Sequence, residues 1–99
     1  MAKYVLTKKA VSDLSDIWNY TFDNWSEEQA NRYYQMLMEH VELIADNPDI
    51  GKKYDVVRKE LRGLIAGKHI VFYRKSSLAN INVEIVRILH GSVDLKNKL

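Results

Sequence analysis

The chain has 99 residues, 15 Lys and Arg against 13 Asp and Glu, one Pro, four Gly and no Cys. That length makes one domain spanning 1–99, large enough to bury roughly two-thirds of its unfolded surface in one core. The composition excludes a disordered chain, a membrane span, a disulfide scaffold, a thiol nucleophile and a Cys-ligated metal site.

The first segment, Lys3-Tyr4-Val5-Leu6-Thr7, is short, β-branched and aromatic, and predicts a strand ending on a residue able to cap a helix. Apolar residues then fall at Ala10, Val11, Leu14, Ile17 and Trp18, with Thr21 and Phe22 one turn on, which is helical spacing. Asp13, Ser15, Asp16 and Asn19 take the intervening, outward positions. Ser26-Glu27-Glu28-Gln29 is a capping box with acidic residues at the positive end of the helix dipole. A second apolar stripe follows through Ala30, Tyr33, Tyr34, Leu37, Met38, Val41, Ile44 and Ala45. Pro48 disfavours helix at Asn47, so the second helix ends at Asp46. Trp18, Trp25, Tyr33 and Tyr34 on or beside this hairpin read as core, or else as an apolar groove for a partner helix.

Asn47 to Gly51 is a turn cluster, 52–55 a basic loop, and 56–60 is ambiguous. Three strands follow, at 61–66, 69–75 and 81–89, the first two joined by a tight Gly67-Lys68 turn. Ile81, Val83 and Ile85 alternate with polar residues. Val86, Ile88 and Leu89 do not, so the far end of the last strand is central or covered. Residues 91–99 read as a polar tail. The expected fold is α+β, ordered β-α-α-β-β-β, an antiparallel sheet with a helical hairpin packed on one face.

Charge is uneven. Residues 8–47 carry three basic and eight acidic side chains, whereas 48–99 carry eleven basic and five acidic. Such a split points to an anionic partner for the second half, or to two solvated faces of opposite sign. There is no phosphate loop, nucleophile elbow or metalloprotease helix. His40, His69 and His90 stand at no chelating spacing, so neither metal nor cofactor is expected, and His40 reads as solvated or half-buried. No apolar leader precedes Lys9, which points to the cytoplasm. Arg62, Lys68, His69, Arg74, Arg87 and His90 all fall on the predicted sheet or its turns, with Tyr73 among them.

Six pieces in order carry a resemblance. They are Leu6 to Leu14, Ile17-Trp18-Asn19-Tyr20, Trp25 with Ala30 and Tyr33-Tyr34, Asn47 to Gly51, Leu61-Arg62 with Gly67 to Arg74, and Ile85 to His90 closed by Asp94. Together they resemble the ParE toxins of the RelE/ParE superfamily, the toxin half of bacterial type II toxin–antitoxin pairs. The resemblance implies a growth-inhibiting stress-response protein that binds DNA gyrase, traps cleaved DNA and blocks replication without chemistry of its own. It also implies a ParD-like antitoxin with an acidic tail, a toxin–antitoxin hetero-oligomer, and no sequence-specific DNA binding by the toxin alone. The expected contact surface is Arg58, Arg62, Lys68, His69, Tyr73, Arg74, Arg87 and His90. Alanine at Arg62, Arg74 or Arg87 is then expected to weaken partner binding without unfolding the domain.

The sister RelE-like branch cleaves mRNA on the ribosome, and a metal-independent endoribonuclease built on Arg62, Arg87 and His90 is the alternative. An inactive, regulatory toxin-like partner is a third reading. Tyr73 is the last tyrosine, Gly91 follows His90, and Ile70 and Val71 place no cation in the central strand, which favours the gyrase branch. Gly91-Ser92-Val93 stands where many members carry more polar or basic residues, so contacts made by the tail are expected to differ.

Overall fold

Thr7 turns the chain from β1 (Tyr4–Leu6) into α1 (Lys8–Asn24). Its hydroxyl accepts the Ala10 N–H at 3.1 Å, capping the helix, and donates to the Val86 carbonyl at 2.8 Å. The structure, a computed structural model, describes residues 3–99; Met1 and Ala2, the start of the segment read as leaderless, lie outside the described residues. Ser26 caps α2 (Glu27–Asp46) by accepting the Gln29 N–H at 3.0 Å. Then follow β2 (Lys52–Lys53), β3 (Arg62–Ala66), β4 (His69–Lys75), β5 (Val83–His90) and a short α3 (Leu95–Lys98).

The five strands form one sheet in the order β1-β5-β4-β3-β2. The β3-β4-β5 meander is antiparallel, as its alternation and tight turn predict. The sheet as a whole is mixed, because β1 lies parallel to β5, with Tyr4 opposite Val83 and Leu6 opposite Ile85. A parallel neighbour needs a long crossover, and the helical hairpin supplies it. β2 pairs Lys52 and Lys53 with Gly63 and Arg62; two adjacent lysines carry no strand signature, so this edge reads as loop from sequence. The tail likewise closes into α3 rather than staying irregular.

Both faces of the sheet are covered. On the helix side, Leu14 of α1 and Leu37, Val41 and Ile44 of α2 pack with Val71, Tyr73, Val83, Ile85 and Ile88. On the other side, Leu61, Phe72, Val86 and Leu89 are covered by Tyr54, Val57, Val93, Leu95 and Leu99. This second cluster explains the apolar far end of β5. A register shift between Phe72 and Tyr73, opposite Arg87 and Ile85, leaves Val86 without a partner in the ladder, and it joins the outer cluster.

Of the hairpin aromatics read as core, Tyr33 packs against the core cluster and the others do not join it. Trp25 is 74% exposed and Tyr20 66%, Phe22 and Tyr34 are exposed, and Trp18 and Tyr33 are half-buried. The buried side of α1 is built from Ala10, Leu14 and Thr21, and Ala10 and Leu14 join the core against the sheet. Trp18 and Phe22 lie one residue further round and stack on each other, ring centroids 5.3 Å apart. His40 is half-buried, its Nδ1 2.8 Å from the Met36 carbonyl.

Candidate functional site

The expected basic surface divides into separate places. Arg87, on β5, lies against Asp13 of α1. Its Nε and Nη2 each donate to an Asp13 oxygen at 2.8 Å, and Nη1 donates to the Lys98 carbonyl at 3.1 Å. The Ile88 N–H donates to Asp13 Oδ2 at 2.9 Å. β1 ends at Leu6, so the next edge groups of β5 have no strand beside them; Thr7 takes the Val86 carbonyl and Asp13 takes the Ile88 N–H instead. The Arg87 and Asp13 side chains are only 16% and 11% exposed. Pairing with Asp13 holds the Arg87 pKa above the ordinary arginine value. Asp13, read as an outward residue, is thus an internal anchor. Arg87 ties α1 and the tail to the sheet rather than offering a free cation to a partner.

Tyr73 is fully buried. Its hydroxyl donates to the Pro48 carbonyl and accepts the Gly51 N–H, each at 2.8 Å. A Cβ on residue 51 would lie 2.6 Å from that hydroxyl, so only glycine lets the turn close on it. The structure therefore removes Tyr73 from the contact surface and makes it the clamp of the mid-chain turn. Tyr73→Phe leaves the buried Gly51 N–H without an acceptor and is expected to cost about 1–3 kcal/mol in urea unfolding. An unchanged midpoint would contradict that role. Arg62 serves the same turn, donating to the carbonyls of Asp49 and Gly51 at 3.2 and 2.9 Å.

Arg62 stands opposite Tyr73, whose ring is in the helix-side core, whereas Arg87 stands opposite Phe72 of the outer cluster. Paired residues share a face of a sheet, so the two guanidinium groups start from opposite faces. Of the alternative set, Arg62 is taken up by the mid-chain turn, Arg87 by Asp13, and His90 stands at the end of β5 opposite His69. Arg74 is exposed and pairs with Glu84 at 2.7 Å, and Arg58 is exposed and donates to the Leu99 carbonyl at 2.8 Å. Exposed Lys52, Lys53, Arg58, Lys59 and Lys75 crowd β2 and its loop, with Asp49 answering Lys75 at 2.8 Å. Lys75 holds the Asp49 carboxyl below the ordinary carboxylate range.

Lys68, His69 and His90 do converge, with partners that sequence spacing alone does not reveal. Gly67 has φ +61°, the left-handed turn position that favours glycine. The Tyr33 hydroxyl of α2 accepts the Lys68 N–H at 3.0 Å and lies 2.6 Å from His69 Nδ1. His69 and His90 are cross-strand partners with ring centroids 5.5 Å apart. His90 Nδ1 accepts the Ser92 N–H at 3.2 Å. These groups form one wall of an open groove of about 690 Å³, with Asp16, Ile17, Tyr20, Thr21 and Trp25 opposite.

Burial, reinforced by neighbouring His90 and opposed by Asp13, holds the His69 pKa below the ordinary histidine value. The unfolded chain titrates this group near 6.5 and the folded chain lower. Between those values the unfolded state binds more protons, so the contribution is complete above 6.5 and is lost as pH falls through the folded value. His69→Asn is expected to flatten the stability slope just below the ordinary value. Urea unfolding of both chains from about pH 8 to about pH 5 checks this; parallel profiles would contradict it.

Comparison with known proteins adds an independent line. Residues 4–95 match the family model described as the ParE toxin of the type II toxin–antitoxin system parDE. The chain is 37% identical over 99 residues to Toxin ParE1 of Caulobacter vibrioides, covering 100% of this chain and 99% of that one. It is also 37% identical over 98 residues to Toxin ParE1 of Mycobacterium tuberculosis, covering 99% and 98%. Among solved structures, a chain of a chromosomal ParDE toxin–antitoxin system from P. aeruginosa shares the fold with a TM-score of 0.74. It is 21% identical, over 91% of this chain and 96% of that one.

Proposed function

The chain belongs to the ParE toxin family of type II toxin–antitoxin systems, and on that premise we propose that it arrests growth by binding DNA gyrase and stalling it on cleaved DNA. A ParD-like antitoxin holds it inactive in a hetero-oligomer. The encounter is cytoplasmic; among the described residues no helix is long and apolar enough to cross a membrane.

The observation that carries a binding rather than a catalytic role is the dispersal of the basic residues. Arg62 is occupied by the mid-chain turn and Arg87 by Asp13 of α1, so neither guanidinium is left free. A phosphoryl-transfer site needs its base, acid and cations around one phosphate.

Charge supports the antitoxin half of the reading. Lys52, Lys53, Arg58 and Lys59 form an exposed edge that an acidic segment fits. Arg74 adds a rim charge; alanine there costs affinity under about 1 kcal/mol alone, so the patch acts as a group.

Induced expression with parallel pulse-labelling of DNA and protein synthesis tests the proposal. DNA synthesis failing first, in filamentous cells, is the expected result. Protein synthesis failing first, with mRNA cut in vivo, would transfer the function to the endoribonuclease reading. Unimpaired growth would favour the inactive regulatory partner.

A further inference from the structure

We infer that the groove between the α1–α2 tip and the β3–β4 turn binds a single nucleotide unit, its base on the exposed aromatic wall and its phosphate on the Lys68, His69 and His90 wall. Ring availability is the first support. Among the described residues Trp18 stacks on Phe22, Tyr54 meets Phe72 edge-on and Tyr33 meets His69, but Trp25 and Tyr20 are paired with no ring. Both stand exposed on the same groove. A flat, unpartnered indole beside a phenol is a stacking platform for a planar base.

The donors are the second support. The Tyr33 oxygen accepts the Lys68 N–H and lies 2.6 Å from His69 Nδ1; in the tautomer where it donates to that nitrogen, the imidazole proton is on Nε2. The Ser92 N–H occupies His90 Nδ1 in the same sense and leaves that ring with an Nε2–H. Lys68 has no carboxylate within ion-pair distance among the described residues, so the wall lined by Lys68, His69 and His90 carries two imidazoles and one ammonium without an ion-pair partner. Its scaffold is fixed by the positive-φ Gly67 turn and by the Gly91 N–H, which donates to the Lys68 carbonyl at 2.9 Å.

Size and charge narrow the ligand. About 690 Å³ is in the range of small-molecule sites and suits one nucleotide. Asp16, on the opposing wall, repels a second or third phosphate. The class is therefore a monophosphate or a phosphodiester, taken from a free nucleotide or from a single strand.

The test is a titration of the purified protein with inorganic phosphate, thymidine monophosphate and a short oligothymidylate. Tryptophan fluorescence follows the base, and the imidazole NMR signals of His69 and His90 follow the phosphate. Nucleotide is expected to quench fluorescence saturably and to move both histidine signals. Lys68→Ala and Trp25→Ala are each expected to weaken binding roughly tenfold with an unchanged melting temperature. For Trp25→Ala the histidine signals serve as the readout.

Tighter binding of the oligomer would assign a strand as source, and equal binding a free nucleotide; either supports the site. Phosphate binding as well as nucleotide, absence of saturable binding, or binding untouched by both variants would overturn it. So would an acidic peptide binding tighter than nucleotide through the same two residues. The assay contains no gyrase, so its failure leaves the gyrase proposal untouched.

Discussion

Arg87→Ala is expected to destabilise the domain by about 3 kcal/mol, a fall of more than about 10 °C in melting temperature. The guanidinium and the Asp13 carboxylate form two 2.8 Å hydrogen bonds with little exposure to water. Removing the arginine leaves the carboxylate in a place chosen for a cation, and that stranded charge dominates the cost. Partial exposure places the effect at the lower end of the range for buried pairs. Asp13→Ala is expected to cost at least as much, because the Ile88 N–H also loses its acceptor. The double variant is expected to cost less than the two singles added, since they break one interaction. Thermal melting of all three chains decides the matter. Melting temperatures within a few degrees of the parent for Arg87→Ala would show that the residue is free for partners, as its sequence position had indicated.

Ile85→Ala is expected to cost roughly 2–5 kcal/mol by leaving a cavity where the sheet meets the helices. Ile85 is fully buried, the third residue of β5, paired with Leu6 on one side and Tyr73 on the other. Leu14→Ala, on the face of α1 that covers the sheet, is expected to fall in the same range. Ile65→Ala is the control: the side chain is 70% exposed on β3, and its loss is expected to stay within about 0.5 kcal/mol. Urea unfolding separates these cases, and near-parental stability of Ile85→Ala would refute the two-layer packing.

Local signals in the sequence were reliable where they depended on backbone chemistry. Thr7 and Ser26 cap the helices they precede, α2 ends at Asp46 two residues before Pro48, and Gly67-Lys68 forms the tight turn. Nonlocal features were less legible. The partner of a three-residue strand depends on where the hairpin returns the chain, so the parallel β1–β5 pairing is not written into Tyr4–Leu6. The outer cover of the sheet comes from Tyr54, Val57, Leu95 and Leu99, scattered residues with no shared period.

The surroundings of the basic residues were hard to read in the sequence for a related reason. A period of two places basic residues on a sheet, but it says nothing of which carboxylate or carbonyl each one meets. Asp13 lies 74 residues from Arg87, and a helical wheel shows it only as polar. Tyr33 reads as core from its helical spacing and does pack against the core cluster, but the spacing gives no sign that its hydroxyl reaches the Lys68 turn. Trp25 follows the end of α1 between the two helices, where no core remains to receive it.

The most direct test of the central claim combines the purified toxin with purified gyrase and relaxed plasmid DNA, with and without a ParD-like antitoxin. Toxin alone is expected to inhibit supercoiling, and linear DNA to accumulate once trapped complexes are denatured, with both effects abolished by antitoxin. Unimpaired supercoiling with no linear DNA at saturating toxin would contradict it.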